Sequence, residues 1–267
     1  MSAHPQIARR TPVKLLPLVP FVGLLVLWVV GWQITRPSLA TLPSAQRVLD
    51  TLIGLAQSGE LWRNIVASMT RWALALVVAG STGMVLGVLA GLNRSLGMFF
   101  EPLATFFTAM SGIVWIPLAI VWFGIGTSMV VFIIWNSIFF IVFANTLLGV
   151  RSVPVVLEDG IRTLGGSRAD IIRSVILPGA WAHIMSGLRA GLGFGWRALI
   201  AAEVIGATAG LGAMIFHATE FLRSDVIVAG NLVIGTIGLT IDLSILAAIE
   251  RRTLERWGLV EQGRGLR

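Results

Sequence analysis

At 267 residues, 56% hydrophobic and 12% charged, with a mean hydropathy of +0.87, the chain is too apolar for a soluble domain, where about a quarter of residues are charged. The formal charge of +7 does not point to nucleic acid, because the basic residues lie in the connections between apolar runs and not on one face. Cysteine is absent, which excludes disulfides and thiolate chemistry.

Residues 1–16 form a basic tail with Arg9, Arg10 and Lys14. The apolar run that follows shows no small-residue cleavage site, so it is expected to be retained as a first span over 17–34, with Trp28 and Trp32 at its outer interface. From 35 to 64 the chain is mixed, and Pro43 is expected to open a short amphipathic helix through Val48, Leu52 and Leu55 on the far side of the membrane. A second span over 71–92 carries Gly83, Gly87 and Gly91 at intervals of four, which suits close helix approach, expected at a dimer contact. A third span over 98–123 reads as interrupted by Pro117, and the turn at 124–127 leads to a fourth span ending near 149.

The segment 151–180 is the one long mixture of polar and apolar residues between spans. Pro154 fits the first turn of a short helix whose Val153, Leu157, Ile161 and Leu164 share a side, and Gly165-Gly166 ends it. Ser167 and Asp170 form a possible capping box for a second helix, expected to stop at Pro178. This predicts a helix-turn-helix outside the membrane, and spacing alone equally allows an amphipathic connector on the bilayer surface. A fifth span over 184–205 repeats the glycine spacing at Gly187, Gly191 and Gly195. A polar stretch with His217, Glu220, Arg223 and Asp225 precedes the sixth span over 226–249, and a tail over 251–267 carries five arginines. One transmembrane domain over 17–250 is therefore expected between two tails.

Lysine and arginine concentrate on the side of the termini and of 151–180, which the positive-inside rule makes cytoplasmic. Three ionisable residues fall inside spans, Arg197, Glu203 and Asp242, where charge is costly unless paired or facing water. Trp196 and Glu203 share a helix face, whereas Arg197 and Glu203 lie about 120° apart around the helix, so they are not a simple pair along one face. Trp196, Arg197 and Glu203 are the candidate pathway residues; the alternative is that each charge bonds a neighbouring helix or reaches an interface. His4, His183 and His217 have no metal-ligand spacing, and with Lys14 as the only lysine no Walker A loop exists. Neither an enzyme nor an ATPase is expected.

The 151–180 segment resembles the coupling loop of permease subunits of bacterial ABC importers, whose pattern is Glu-Ala-Ala, three residues, Gly, nine residues, then an aliphatic, any residue, Leu, Pro. Gly165 takes the glycine, and Gly166 to Ser174 lead to Val175, Ile176, Leu177 and Pro178, while Asp159, Gly160 and Ile161 stand where Glu-Ala-Ala is usual. The run from Ile116 to Gly126, the stretch Trp196 to Gly206 and the Gly210-Leu-Gly212 triplet resemble the nitrate, sulfonate, taurine and bicarbonate branch, and the likeness covers about 42–257. The resemblance implies an all-α polytopic protein of six spans in the bacterial inner membrane, working as a homodimer by alternating access. It implies two copies of an ATPase subunit, which carry the ATP and Mg, docked at Glu158, Asp159, Gly160, Gly165, Ser167, Leu177 and Pro178. A soluble periplasmic binding protein delivers the solute, this chain holds no cofactor, and the solute is a small anion. The rivals are an ion-gradient transporter using Glu203 and Asp242, and a membrane-embedded assembly subunit.

Overall fold

A computed structural model describes residues 19–35 and 41–245, so the two basic tails and the end of the sixth predicted span lie outside the described residues. Every element among the described residues is helical. Helix α1 (Val19–Thr35) is apolar but for Gln33 and Thr35 in its last turn and is tied to the next connection by Trp28, whose Nε1 donates to the Pro43 carbonyl at 3.2 Å. Helix α2 (Ala45–Gln57) starts at Ser44, whose hydroxyl accepts from the Arg47 N–H, and it turns Val48 and Leu55 inward. Gly59, at φ +76°, reverses the chain into α3 (Glu60–Leu92), which runs 33 residues and begins well before the expected 71.

The third predicted span is broken, but not by Pro117. Helix α4 (Arg94–Ala109) and helix α5 (Ile116–Phe123) meet at 94° across a 3-10 turn, Gly112–Trp115. The break lies at Met110, which is extended, and Pro117 stands in the first turn of α5, where its missing N–H costs no helical bond. A Cβ on Gly112 would strike the Ser137 hydroxyl of the next helix, so the bend sits tightly on its neighbour.

Helix α6 (Thr127–Arg151) is the centre, with Met129, Val130, Ile133, Ile134, Ile138 and Val142 fully buried. Both glycine ladders close on it from inside the same chain. Cβ atoms built at Gly87 and Gly91 of α3 would fall 2.6 Å from Thr146 and 2.5 Å from Val150, and those at Gly187 and Gly195, on the later helix 177–206, would fall 2.7 Å from Asn145 and 2.5 Å from Ile138. The expectation of a dimer contact is thus corrected: α6 occupies these faces, because small residues let backbones approach where lipid supplies no hydrophobic drive.

Helix α7 (Val155–Thr163) is followed by α8 (Arg168–Ile171), a π-helical turn Ile172–Ile176 and α9 (Leu177–Gly206). The stop expected at Pro178 does not occur; 168–206 is one helix of 39 residues. The π turn just before Pro178 widens the ladder where proline lacks a donor and its ring would crowd the carbonyl four residues back. Such a helix is about 58 Å long against an apolar bilayer core of about 30 Å, so its first turns project beyond the core. Helix α10 (Leu211–Glu220) and helix α11 (Ser224–Thr240), extended by a π turn Ile241–Ile245, complete the described chain. Among the described residues, four helices are long and apolar enough to cross a membrane, five if the bent pair is one span, while α1 is shorter.

Candidate functional site

The 151–180 segment has the local order its residues dictate. Helix α7 ends in a Schellman turn, with the Gly166 N–H donating to the Ile161 carbonyl at 2.9 Å and the Gly165 N–H to Arg162 at 3.0 Å. Gly165 lies at φ +79°, in the left-handed region that a side chain disfavours. Ser167 and Asp170 form the reciprocal capping box: the Ser167 N–H donates to the carboxylate at 2.8 Å, and the Asp170 N–H donates to the Ser167 hydroxyl at 3.3 Å. Arg162 spans both acids of α7, at 3.4 Å from Glu158 and 3.1 Å from Asp159, so the shorter acid at 159 is held in an ion pair. Nothing lies within 4 Å of a Cβ built on Gly160, and Leu177 and Pro178 sit half-buried at the junction with α9. Of the apolar residues of α7, Ile161 is half-buried against the cluster of Val150, Ile171 and Ile176, and Val155, Val156 and Leu157 are uncovered. Val156 is 73% and Leu164 86% exposed, and no α7 residue is buried.

The structure separates the three candidate pathway residues. Glu203 is fully buried and accepts from Arg71 Nη1 at 2.8 Å, from the Ser68 hydroxyl and from the Gly212 N–H at 3.1 Å. Arg71 also donates to the Ala209 carbonyl at 2.5 Å and to Thr127 at 3.2 Å. Asn64 and Ser68 accept the N–H groups of Gly210 and Leu211, each at 2.9 Å. Glu203 is therefore part of a satisfied buried network that pins the 207–212 turn to α3. Its partner is Arg71, the residue at which the second span was expected to begin. The overlooked signal was the spacing of Asn64, Ser68 and Arg71, a polar stripe on one face of an apolar helix.

Trp196 packs elsewhere, edge-on to Trp72 with ring centroids 6.2 Å apart. Arg197 is exposed, its guanidinium 5.5 Å from the Phe194 ring, and it lines a cavity of about 630 Å³ between the α4–α5 bend, α6 and α9. Asp242 is exposed in the last π turn. Of the histidines, His183 is half-buried and His217 stands 3.5 Å from Glu220; no group of metal-ligating side chains occurs among the described residues.

Comparison with known proteins supplies the family. Residues 83–256 match the family described as binding-protein-dependent transport system inner membrane component. The chain is similar to the taurine transport system permease protein TauC of Escherichia coli K12, at 38% identity over 246 residues, covering 89% of each chain. It is 35% identical to the putative aliphatic sulfonates transport permease protein SsuC of the same organism, covering 92% of this chain and 95% of that one. It is 31% identical to the bicarbonate transport system permease protein CmpB of Synechococcus elongatus, covering 91% and 88%. Among solved structures the fold is like that of an amino acid ABC transporter, with a TM-score of 0.61 at 16% identity over 75% of this chain and 97% of that one. It is also like the inward-facing MetNI methionine ABC transporter, with a TM-score of 0.56 at 17% identity over 71% and 95%. The chain accordingly belongs to the binding-protein-dependent transport system inner membrane components, the permease subunits of ABC importers, and is a multi-pass transport subunit and not an enzyme.

Proposed function

We propose that two copies of this chain form the membrane path of an importer of small organic anions, driven by two ATPase subunits that dock on the α7–α8 segment. The observation that carries the docking is the uncovered part of α7: apolar Val155, Val156 and Leu157 beside a charged Glu158-Asp159-Arg162 cluster, ended by a rigid Schellman turn and capping box. A single chain leaves that surface bare, and a partner groove covers it. Glu158, Asp159, Gly160, Gly165 and Ser167 form the contact, and Leu177 and Pro178 lie where the short helices join α9, so tilting the segment moves a helix that crosses the membrane. ATP and Mg bind on the ATPase, and this chain needs no cofactor.

In this reading α1, α3, the bent α4–α5 pair, α6, α9 and α11 make six spans. Both termini and 151–180 are cytoplasmic, and the 207–225 side faces the periplasm and a soluble binding protein. The solute is a small sulfonate or a similar anion, as the names of the taurine, aliphatic sulfonate and bicarbonate relatives suggest. The buried pairing of Glu203 with Arg71 disfavours a proton-carrying role for that carboxylate.

The chain has no cysteine, so single cysteines report cleanly. Leu164→Cys on the coupling segment and Phe221→Cys on the opposite end, 86% and 74% exposed as leucine and phenylalanine, are crosslinked in membranes holding the cognate ATPase. A crosslink to the ATPase from position 164 alone is expected; one from 221 and not from 164 would reverse the topology and remove the docking site.

A further inference from the structure

We propose that the cavity at the α4–α5 bend is a solute subsite within the permease itself, in which Arg197 holds the anionic head of the solute and Asn136 reads its remaining oxygen. The proposal rests on the small-anion reading above and goes beyond it, since it gives this chain a selective contact of its own instead of leaving selection to the binding protein.

The volume of about 630 Å³ fits a small organic solute with room for water, within the range of about 300–1,000 Å³ usual for ligand pockets. Arg197 stands nine residues before the end of α9 at Gly206, so its Cα is about 13 Å along the helix from that end. Among the described residues it has no carboxylate partner, and its recorded contact is the Phe194 ring. A guanidinium at that depth is retained where it faces water or an anion. Asn136 supplies an independent observation. It is 94% buried (6% exposed), lines the same cavity, and its amide has no hydrogen-bond partner among the described residues. The amide is not sealed among protein atoms but opens to the cavity, where water or a ligand completes its bonding. Its neighbours on α6 show the ordinary case: Ser137 donates to the Ile133 carbonyl and Asn145 to the Ile141 carbonyl, each at 2.9 Å.

The chemistry of the lining selects charge and shape. No aspartate or glutamate is among the lining residues, so an ammonium has nothing to neutralise it. A sulfonate or carboxylate offers two oxygens to the guanidinium fork. The third sulfonate oxygen is left for the Asn136 Nδ2. Phe107 and Phe140, stacked at 4.7 Å, form a flat apolar wall for the carbon portion.

The test is equilibrium binding of radiolabelled ethanesulfonate to the permease–ATPase complex in phosphatidylcholine nanodiscs, without binding protein. Saturable binding is expected, displaced by methanesulfonate and not by choline. Arg197→Gln and the isosteric Asn136→Asp should weaken it about tenfold or more, Arg197→Lys less, and Thr70→Ala, outside the cavity, not at all. Asn136→Asp keeps size and shape but adds a charge, so the uncharged Asn136→Leu, of similar volume, is measured beside it and should lose affinity likewise. Absence of saturable binding, or equal affinity in wild type, Arg197→Gln and Asn136→Asp, would overturn the subsite. Loss of bound ethanesulfonate when phosphatidylglycerol replaces the zwitterionic phosphatidylcholine would also overturn it, since the cavity would then be taking a net anionic lipid headgroup. Uptake with the binding protein separates the two levels. Sulfonate uptake without cavity binding leaves the anion reading standing and removes the subsite, whereas uptake of neutral or cationic solutes only removes both.

Discussion

Replacing Arg71 by methionine tests whether the buried network holds the 207–212 turn to the bundle. The substitution keeps most of the side-chain volume but removes the guanidinium bonds to Glu203 at 2.8 Å, Ala209 at 2.5 Å and Thr127 at 3.2 Å. The Glu203 carboxylate, with no exposed surface, then loses its only cation among the described residues. Removing one partner of a buried pair costs about 3–5 kcal/mol. The bonds from Asn64 and Ser68 to the turn remain, which places the expected cost toward the lower end of that range. At roughly 2–4 °C per kcal/mol, the melting temperature should fall on the order of 10 °C. Melting is followed in detergent by tryptophan emission, and the Trp72–Trp196 pair places a reporter on the same two helices. Adding Glu203→Gln should recover about 1 kcal/mol or more, because the amide oxygen still accepts from Ser68 and Gly212 and no charge is left buried. A single variant that melts within 2 °C of wild type on a scale of roughly 2–4 °C per kcal/mol, or a double variant no better than the single, would refute the assignment.

Gly87→Leu and Gly191→Leu should each lower the yield of monodisperse protein on size exclusion, because a Cβ at these positions already falls 2.6 Å from Thr146 and 3.0 Å from Ile138; such overpacking costs about 1–3 kcal/mol, and more where backbone must move. Gly160→Ala meets nothing within 4 Å and gains up to about 1 kcal/mol of helix propensity in α7, so its melting temperature should hold or rise slightly. Ser167→Ala removes the capping box, at a cost of about 1 kcal/mol, and hydrogen exchange of the Arg168–Ile171 amides should quicken about fivefold while that of α6 is unchanged.

The helical class, the Schellman and capping turns of the 151–180 segment and the close-packed glycines were legible because each rests on local pattern: a residue type with one conformational use, at fixed spacing. What was missed depends on tertiary context. Pro178 reads as a stop in any single-helix argument, and only a π turn directly before it lets the helix pass. Pro117 is as compatible with a helix start as with a break, and the break at Met110 is visible only where Gly112 meets Ser137 of α6. Arg197 was the nearer arginine to Glu203 in sequence, yet a six-residue separation turns the two apart, and Arg71 reaches Glu203 across 132 positions. The glycine ladders announced close contact but not its partner: expected at the dimer, they close on α6 of the same chain.

The central claim is that the α7–α8 segment transmits ATP hydrolysis from a docked ATPase to the membrane helices, and Gly165→Arg addresses it most directly. The position lies at φ +79° and faces open space in the single chain, so the substitution strains one turn by about 1–2 kcal/mol and otherwise acts only on a partner seated there. Permease carrying Gly165→Arg is reconstituted with ATPase and binding protein in proteoliposomes, and ATP-driven sulfonate uptake is compared with wild type at equal permease content. The account predicts that the variant inserts and melts close to wild type while uptake is abolished. Uptake at the wild-type rate would contradict it.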